Sequence, residues 1–194
     1  TNTKVYKSTN FGSTWTAVGV SGLPTTSLFI RNVNVAPSNV NIVGVVANSG
    51  RAFVSSNGGT SWTQVGALPN NGLSLSDIVF DPTNPNTVYI SSVAPYGTNS
   101  HLWKSTDFGA SWTAIENGLP AGVPINSVTV DPGSNTTLYA ATHLGVYRST
   151  DAGASWARFG AGMPLVNVTD VEILPDSSLV RVATFGRSVW ELTP

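Results

Sequence analysis

The chain has no cysteine in its 194 residues, so disulfide bonds and thiol chemistry are excluded. It has a single methionine, and only 10% of its residues are charged, with a net charge of −1. No cluster of Lys or Arg marks any segment, which leaves no electrostatic footprint for a nucleic acid. Long apolar runs are missing as well, so no membrane span is expected. Helical periodicity of useful length is absent. No Gly-rich phosphate loop follows a strand and opens a helix, so nucleotide chemistry has no support and no cofactor is expected.

With so little charge, the surface must be built from Ser, Thr, Asn and Gly. That habit belongs to secreted or surface-exposed bacterial β-proteins, so an extracellular or cell-surface location is expected. The chain starts without an initiator Met or a signal peptide and reads as a processed or excised piece. Its length suits one domain with a real core.

What the chain does have is one octet written four times: Ser8-Thr9-Asn10-Phe11-Gly12-Ser13-Thr14-Trp15, Ser55–Trp62, Ser105–Trp112 and Ser149–Trp156. The pattern is Ser-x-(Asp/Asn)-x-Gly-x-x-Trp, and the start-to-start spacings are 47, 50 and 44 residues. A period in that range signals a repeat architecture. The octet reads as a hairpin turn. Asn10, Asn57, Asp107 and Asp151 can accept from backbone amides two residues on. Gly12, Gly59, Gly109 and Gly153 supply positive φ without a steric cost. Trp15, Trp62, Trp112 and Trp156 begin the return strand with a large apolar body.

Between octets, short alternating runs are bounded by Pro, Gly and Asn, the signature of half-buried strands. Four runs, A to D from the inside outward, fill each repeat of about 45 residues, which predicts an all-β β-propeller of four-stranded antiparallel blades. A β-sandwich competes weakly, since it has no need of a fourfold internal repeat. The single domain, residues 1–194, opens with strands C and D of one blade. Three complete blades follow, and strands A, B and C of a last blade close it. Three readings stay open: part of a larger ring, two chains closing one ring as a homo-oligomer, or a small self-closed ring.

The octet resembles the Asp-box, or BNR repeat, of sialidases, xyloglucan-degrading glycoside hydrolases, sortilin-type receptors and the photosystem II assembly factor. That resemblance implies a β-propeller and covers nearly the whole chain. The segment Ala183–Leu192 resembles the closing strand of bacterial Asp-box proteins.

The repeat also sorts packing from function. Tyr6, Phe53, Trp103, Tyr147 and Trp190 share one register of strand C, so they are expected in the core rather than as sugar platforms. The same argument assigns the box tryptophans and the turns at Pro24, Pro69, Pro120 and Pro164 to packing. A calcium loop needs several oxygen ligands, usually with more than one carboxylate, whereas each octet offers one at most. No metal site is expected.

Function is expected where repeats differ, on the face shared by the D–A and B–C loops. The candidates there are Arg51, Tyr96, His101, His143, Phe185 and Arg187. Arg31, Asp77, Asn126 and Asp170 stand at the channel mouth where A strands begin. The longest B–C insert is Ser92–Ser100. A sialidase would need an arginine cluster and a tyrosine–glutamate pair, yet Glu116, Glu172 and Glu191 are scattered. An inverting hydrolase needs two carboxylates about 6.5–9.5 Å apart across a cleft. Asp77 and Asp170 are the weak catalytic candidates for it, and strand capping is the competing role. His101 and His143 lack a third partner for metal chemistry. The sequence is therefore read as a non-catalytic binding or assembly module for a protein or polysaccharide, with a fragment of a xyloglucanase-like hydrolase as the alternative.

Overall fold

The computed structural model describes residues 4–19, 21–24, 28–68, 74–97 and 100–194, and all regular structure among them is strand. Pro69 lies outside the described residues, as do residues 98 and 99 of the Ser92–Ser100 connection.

A first sheet pairs β1 (Val5–Lys7) with β2 (Thr16–Val18). The second runs in chain order through β3 (Ile30–Val35), β4 (Val43–Ala47), β5 (Ala52–Ser55) and β6 (Thr63–Gln64). The third holds β7 (Leu75–Phe80), β8 (Val88–Ser92), β9 (Leu102–Ser105) and β10 (Thr113–Ala114). The fourth holds β11 (Ile125–Asp131), β12 (Ser134–Thr142), β13 (Gly145–Ser149) and β14 (Ala157–Phe159). The last has β15 (Val168–Ile173), β16 (Val180–Thr184) and β17 (Val189–Leu192). Every pairing between these strands is antiparallel, and the inner strands β3, β7, β11 and β15 pack side by side in that order. These are the blades of a β-propeller, and the expected fold class holds.

In the second and third sheets the second strand is covered on both faces, so β4 and β8 are buried throughout. The apolar layers lie between sheets. Val46, Val54, Ile78, Phe80, Ile90 and Trp103 form the layer between the second and third sheets. Leu102, Ile125, Val128, Leu138 and Trp156 form the next. At about 25 cal/mol per Å² of apolar area, such layers dominate the stability of the blade stack.

The octet folds as a closed hydrogen-bond knot. In the third copy the Ser105 hydroxyl donates to Asp107 Oδ1 at 2.7 Å and accepts the Gly109 amide at 2.8 Å. Asp107 Oδ1 accepts the Ser111 amide at 2.9 Å, and Oδ2 accepts its hydroxyl at 2.5 Å. The fourth residue of the octet is left-handed together with the glycine, with φ of 59° at Phe108 and 87° at Gly109. Its amide then reaches the A–B turn, as Gly58 to Asn41, Phe108 to Asn86 and Ala152 to Thr136. Box turns and A–B turns therefore share one end of the blades. The D–A and B–C loops share the other, where Gly97 donates to the Gly122 carbonyl.

The outer strands β6 and β14 each begin beside a joint between sheets. The Trp62 amide donates to the Ser21 carbonyl and the Trp156 amide to the Asn117 carbonyl, so each is drawn out of its own ladder toward the preceding repeat. A Cβ at Gly22 or Gly118 would run into the carbonyl oxygen of the tryptophan seated there, so backbone meets backbone. An apolar residue at or just past the end of β2, β6 and β10 lies against the next box glycine, Val18 at Gly59, Val65 at Gly109 and Ile115 at Gly153.

The box tryptophans are not equally buried. Trp62 and Trp156 are each 5% exposed, whereas Trp15, with no sheet packed before it among the described residues, is 62% exposed. In the strand C register, Trp103 and Phe53 are buried, Tyr147 nearly so and Trp190 half-buried, while Tyr6 is exposed. Burial follows the neighbouring sheet and not the residue type.

Candidate functional site

Every inner strand carries a bulge at its start, between Ile30 and Asn32, Leu75 and Asp77, Ile125 and Ser127, and Val168 and Asp170. The bulge separates the four channel-mouth candidates into two registers. Arg31 and Asn126 are the bulged residues, equivalent to Ser76, whereas Asp77 and Asp170 pair one position later. The true counterparts of Asp77 are Asn32 and Ser127, which a one-residue shift in aligning the repeats would have found.

Both registers stitch neighbouring sheets. Asn126 donates its amide to Asn167 Oδ1 at 2.8 Å and the Val168 carbonyl at 2.6 Å, and Ser76 donates to the Ile125 carbonyl at 2.6 Å. Asp77 Oδ2 accepts the Val128 amide at 3.1 Å, and Ser127 Oγ accepts the Val171 amide at 3.1 Å. Asp77 Oδ1 accepts the Ile78 amide at 2.8 Å, and Asn32 Oδ1 is left without a partner.

Asp77 is buried, and desolvation pushes its carboxyl up to about 6; its two amide bonds oppose that, and Asp170 and Glu172 add to it. Asp170 is exposed and accepts the Val171 amide on Oδ1 at 3.0 Å. The two carboxylates thus sit in different settings, and each is engaged by main chain. The box carboxylates are opposite in character. Asp107 and Asp151 are held down to about 2, chiefly by the hydroxyls of Ser111 and Ser155, each with further help from its own octet. No cluster of three or more metal-ligating side chains occurs among the described residues.

On the loop face, Tyr96 is 60% exposed and meets the His143 ring edge-on, with centroids 5.7 Å apart. The His143 amide donates to the Pro124 carbonyl, which fixes that loop against the D–A segment. Burial, then the neighbouring His101, holds the His143 pKa below its ordinary value of 6.5. A neutral imidazole there offers one donor and one acceptor beside an exposed phenol.

His101, expected on this surface, is instead fully buried. Its amide donates to the Glu116 carboxylate, its Nε2 lies 3.3 Å from the Ala94 carbonyl, and its Nδ1 lies 3.9 Å from Glu116 Oε1. It braces the long B–C loop from beneath. Arg31 and Arg187 are exposed, and Arg51 is half-buried with its Nε donating to Ser49 Oγ at 3.0 Å. Phe185, 77% exposed, is held through its amide to the Asn167 carbonyl. Tyr96 and His143 are in direct contact; the other candidates are distributed over different sheets of the same face.

Comparison with known proteins agrees with this architecture. The chain superimposes on an ancestral GH74 enzyme with a TM-score of 0.72 at 23% identity, covering 94% of this chain and 25% of that one. The GH74 xyloglucanase from Xanthomonas campestris gives 0.72 at 19% identity, covering all of this chain and 34% of that one. YCF48 bound to D1 peptide gives 0.71 at 16% identity over 100% of this chain and 60% of that one. At such identities the likeness is one of fold, and the chain spans a quarter to a third of the length of the GH74 structures. No curated protein matches it in sequence. The Sortilin-Vps10 family profile, described as sortilin, neurotensin receptor 3, matches residues 3–121, well over half of the chain. The chain belongs to the Sortilin-Vps10 family of BNR-type β-propellers.

Proposed function

We propose that the chain is a non-catalytic binding or assembly module of a secreted or surface protein, and that it holds a protein segment or a polysaccharide on its D–A and B–C loop face. The observation that carries this reading is the Tyr96–His143 pair: an exposed phenol set edge-on to a neutral imidazole, on loops braced by buried His101. Exposed aromatic faces stack on sugar rings or peptide side chains, and the adjacent ring nitrogens supply hydrogen bonds. Structural neighbours include a protein bound to a peptide and one named a xyloglucanase, which makes both ligand classes reasonable. Engagement of Asp77 and Asp170 by main-chain amides favours binding over hydrolysis.

The test is calorimetric titration of the chain with xyloglucan oligosaccharides and, separately, with extended peptides. The expected result is saturable binding of one class, weakened about tenfold or more by Tyr96→Ala or His143→Ala with the unfolding midpoint retained. Binding that ignores both substitutions, or release of reducing ends from xyloglucan, overturns the reading.

A further inference from the structure

The chain contains three Asn-Gly steps, at Asn57-Gly58, Asn71-Gly72 and Asn117-Gly118. In such a step the asparagine carboxamide lies within reach of the next main-chain nitrogen, and glycine has no Cβ to obstruct the approach. Asn71 and Gly72 lie outside the described residues. The other two steps have opposite settings. Asn57 belongs to a box, where its Oδ1 accepts the Ser55 hydroxyl and the Ser61 amide, each at 2.9 Å. Its Nδ2 donates to Ser61 Oγ at 2.9 Å, and the Gly58 amide donates to the Asn41 carbonyl at 2.7 Å. Both reacting groups are held there.

At Asn117 neither is. The residue is exposed, and its carboxamide makes one long bond, from Nδ2 to the Ala154 carbonyl at 3.3 Å. The Leu119 amide donates to the Glu116 carbonyl at 2.9 Å, closing a turn with Asn117 and Gly118 at its centre. Gly118 has φ of 94°, as the third residue of a type II turn requires. Its amide has no acceptor among the described residues. The joint itself explains why these two residues stand together. Gly118 is needed where the Trp156 carbonyl leaves no room for a Cβ. Asn117 accepts the Trp156 amide on its carbonyl at 2.8 Å and supplies the donor to Ala154.

We propose that Asn117 is a site of spontaneous covalent modification, which converts the joint between the third and fourth sheets to an isoaspartyl or aspartyl form. The Gly118 nitrogen attacks Asn117 Cγ. An N–Cγ bond forms, the Cγ–Nδ2 bond breaks, and Nδ2 leaves as ammonia with the proton lost from the Gly118 amide. Water then opens the cyclic imide at either carbonyl, giving aspartate or isoaspartate and a carboxylate in both cases. No oxidant or further reagent is consumed. Either product removes the donor to the Ala154 carbonyl. The isoaspartyl form also lengthens the main chain by one methylene between the Asn117 and Gly118 positions, so the two groups seated on Trp156 lose their spacing.

The test is incubation of the folded full chain at mildly alkaline pH. Peptide mapping with isoaspartyl methylation reads each asparagine, and thermal unfolding is followed in parallel. Asn117 is expected to convert at least about tenfold faster than Asn57, which must first open its box. In urea the two should convert at similar rates. The unfolding midpoint of the parent should fall as Asn117 converts, and that of Asn117→Gln, whose longer side chain cyclises far more slowly, should fall less over the same period. Any conversion at Asn71 is common to both chains and cancels. Asn117 left intact when folded while the urea-unfolded chain converts, Asn57 converting as fast as Asn117 in the folded chain, or parent and Asn117→Gln midpoints falling in parallel would each overturn the proposal.

Discussion

Replacing Asp77 by Asn gives the sharpest quantitative test of how the inner strands are held. Burial raises the Asp77 pKa from 3.8 to about 6. A folded-state pKa above the unfolded one means that the folded protein binds the proton more tightly. Stability from this group is therefore greatest below pH 4 and declines as pH rises toward 6 and beyond. A gap of that size corresponds to about 2–3 kcal/mol between pH 4 and pH 8, at roughly 1.4 kcal/mol per pKa unit. Asn removes the titration, but its amide nitrogen cannot accept, so one of the Val128 and Ile78 amides loses its partner at a cost of about 1–3 kcal/mol. The two effects separate by pH. At pH 4 the variant should be less stable than the parent by the lost hydrogen bond. At pH 8 relief of the buried charge should offset most of that loss. Urea unfolding at both pH values, with equal m-values, measures the difference of differences, from which the other carboxylates cancel. If the stabilities of parent and variant run parallel from pH 4 to pH 8, the buried-carboxylate argument is wrong.

Ser105→Ala should cost about 1–3 kcal/mol, because the buried hydroxyl serves the Gly109 and Asp107 amides; the same urea assay reads it. Asp107 and Asp151, held down to about 2, contribute stability that is complete above pH 4 and lost as pH falls toward 2. An Asp107→Asn/Asp151→Asn chain should therefore show a flatter acid limb in thermal unfolding. Gly118→Ala should destabilise by at least 1–2 kcal/mol from the left-handed backbone alone, and by more because the new methyl meets the Trp156 carbonyl. A melting temperature equal to that of the parent would discount the joint.

The repeat was legible because its chemistry is local. Ser105, Asp107, Gly109 and Ser111 satisfy one another within a single turn, so four residues at fixed offsets announce the fold wherever the turn sits. Roles that depend on a neighbouring sheet were not legible from the residue itself. Trp15 and Trp62 share an octet pattern, yet one is exposed and the other buried, because of the two only Trp62 has a sheet packed before it among the described residues. The bulge shifted the inner-strand register by one, which hid Asn32 and Ser127 behind Arg31 and Asn126. His101 reads as a polar loop residue, but Glu116 on the next outer connection draws it beneath the surface. Tyr96 and His143 stand on separate repeats, and only the packing of adjacent loops brings them together.

The side-by-side order of β3, β7, β11 and β15 bears on how the molecule is made. Each new blade has to find only the one synthesised just before it, so the entropy of closing the intervening segment is the same at every step and does not grow with chain length. Assembly can then keep pace with translation, adding one blade at a time to a growing edge.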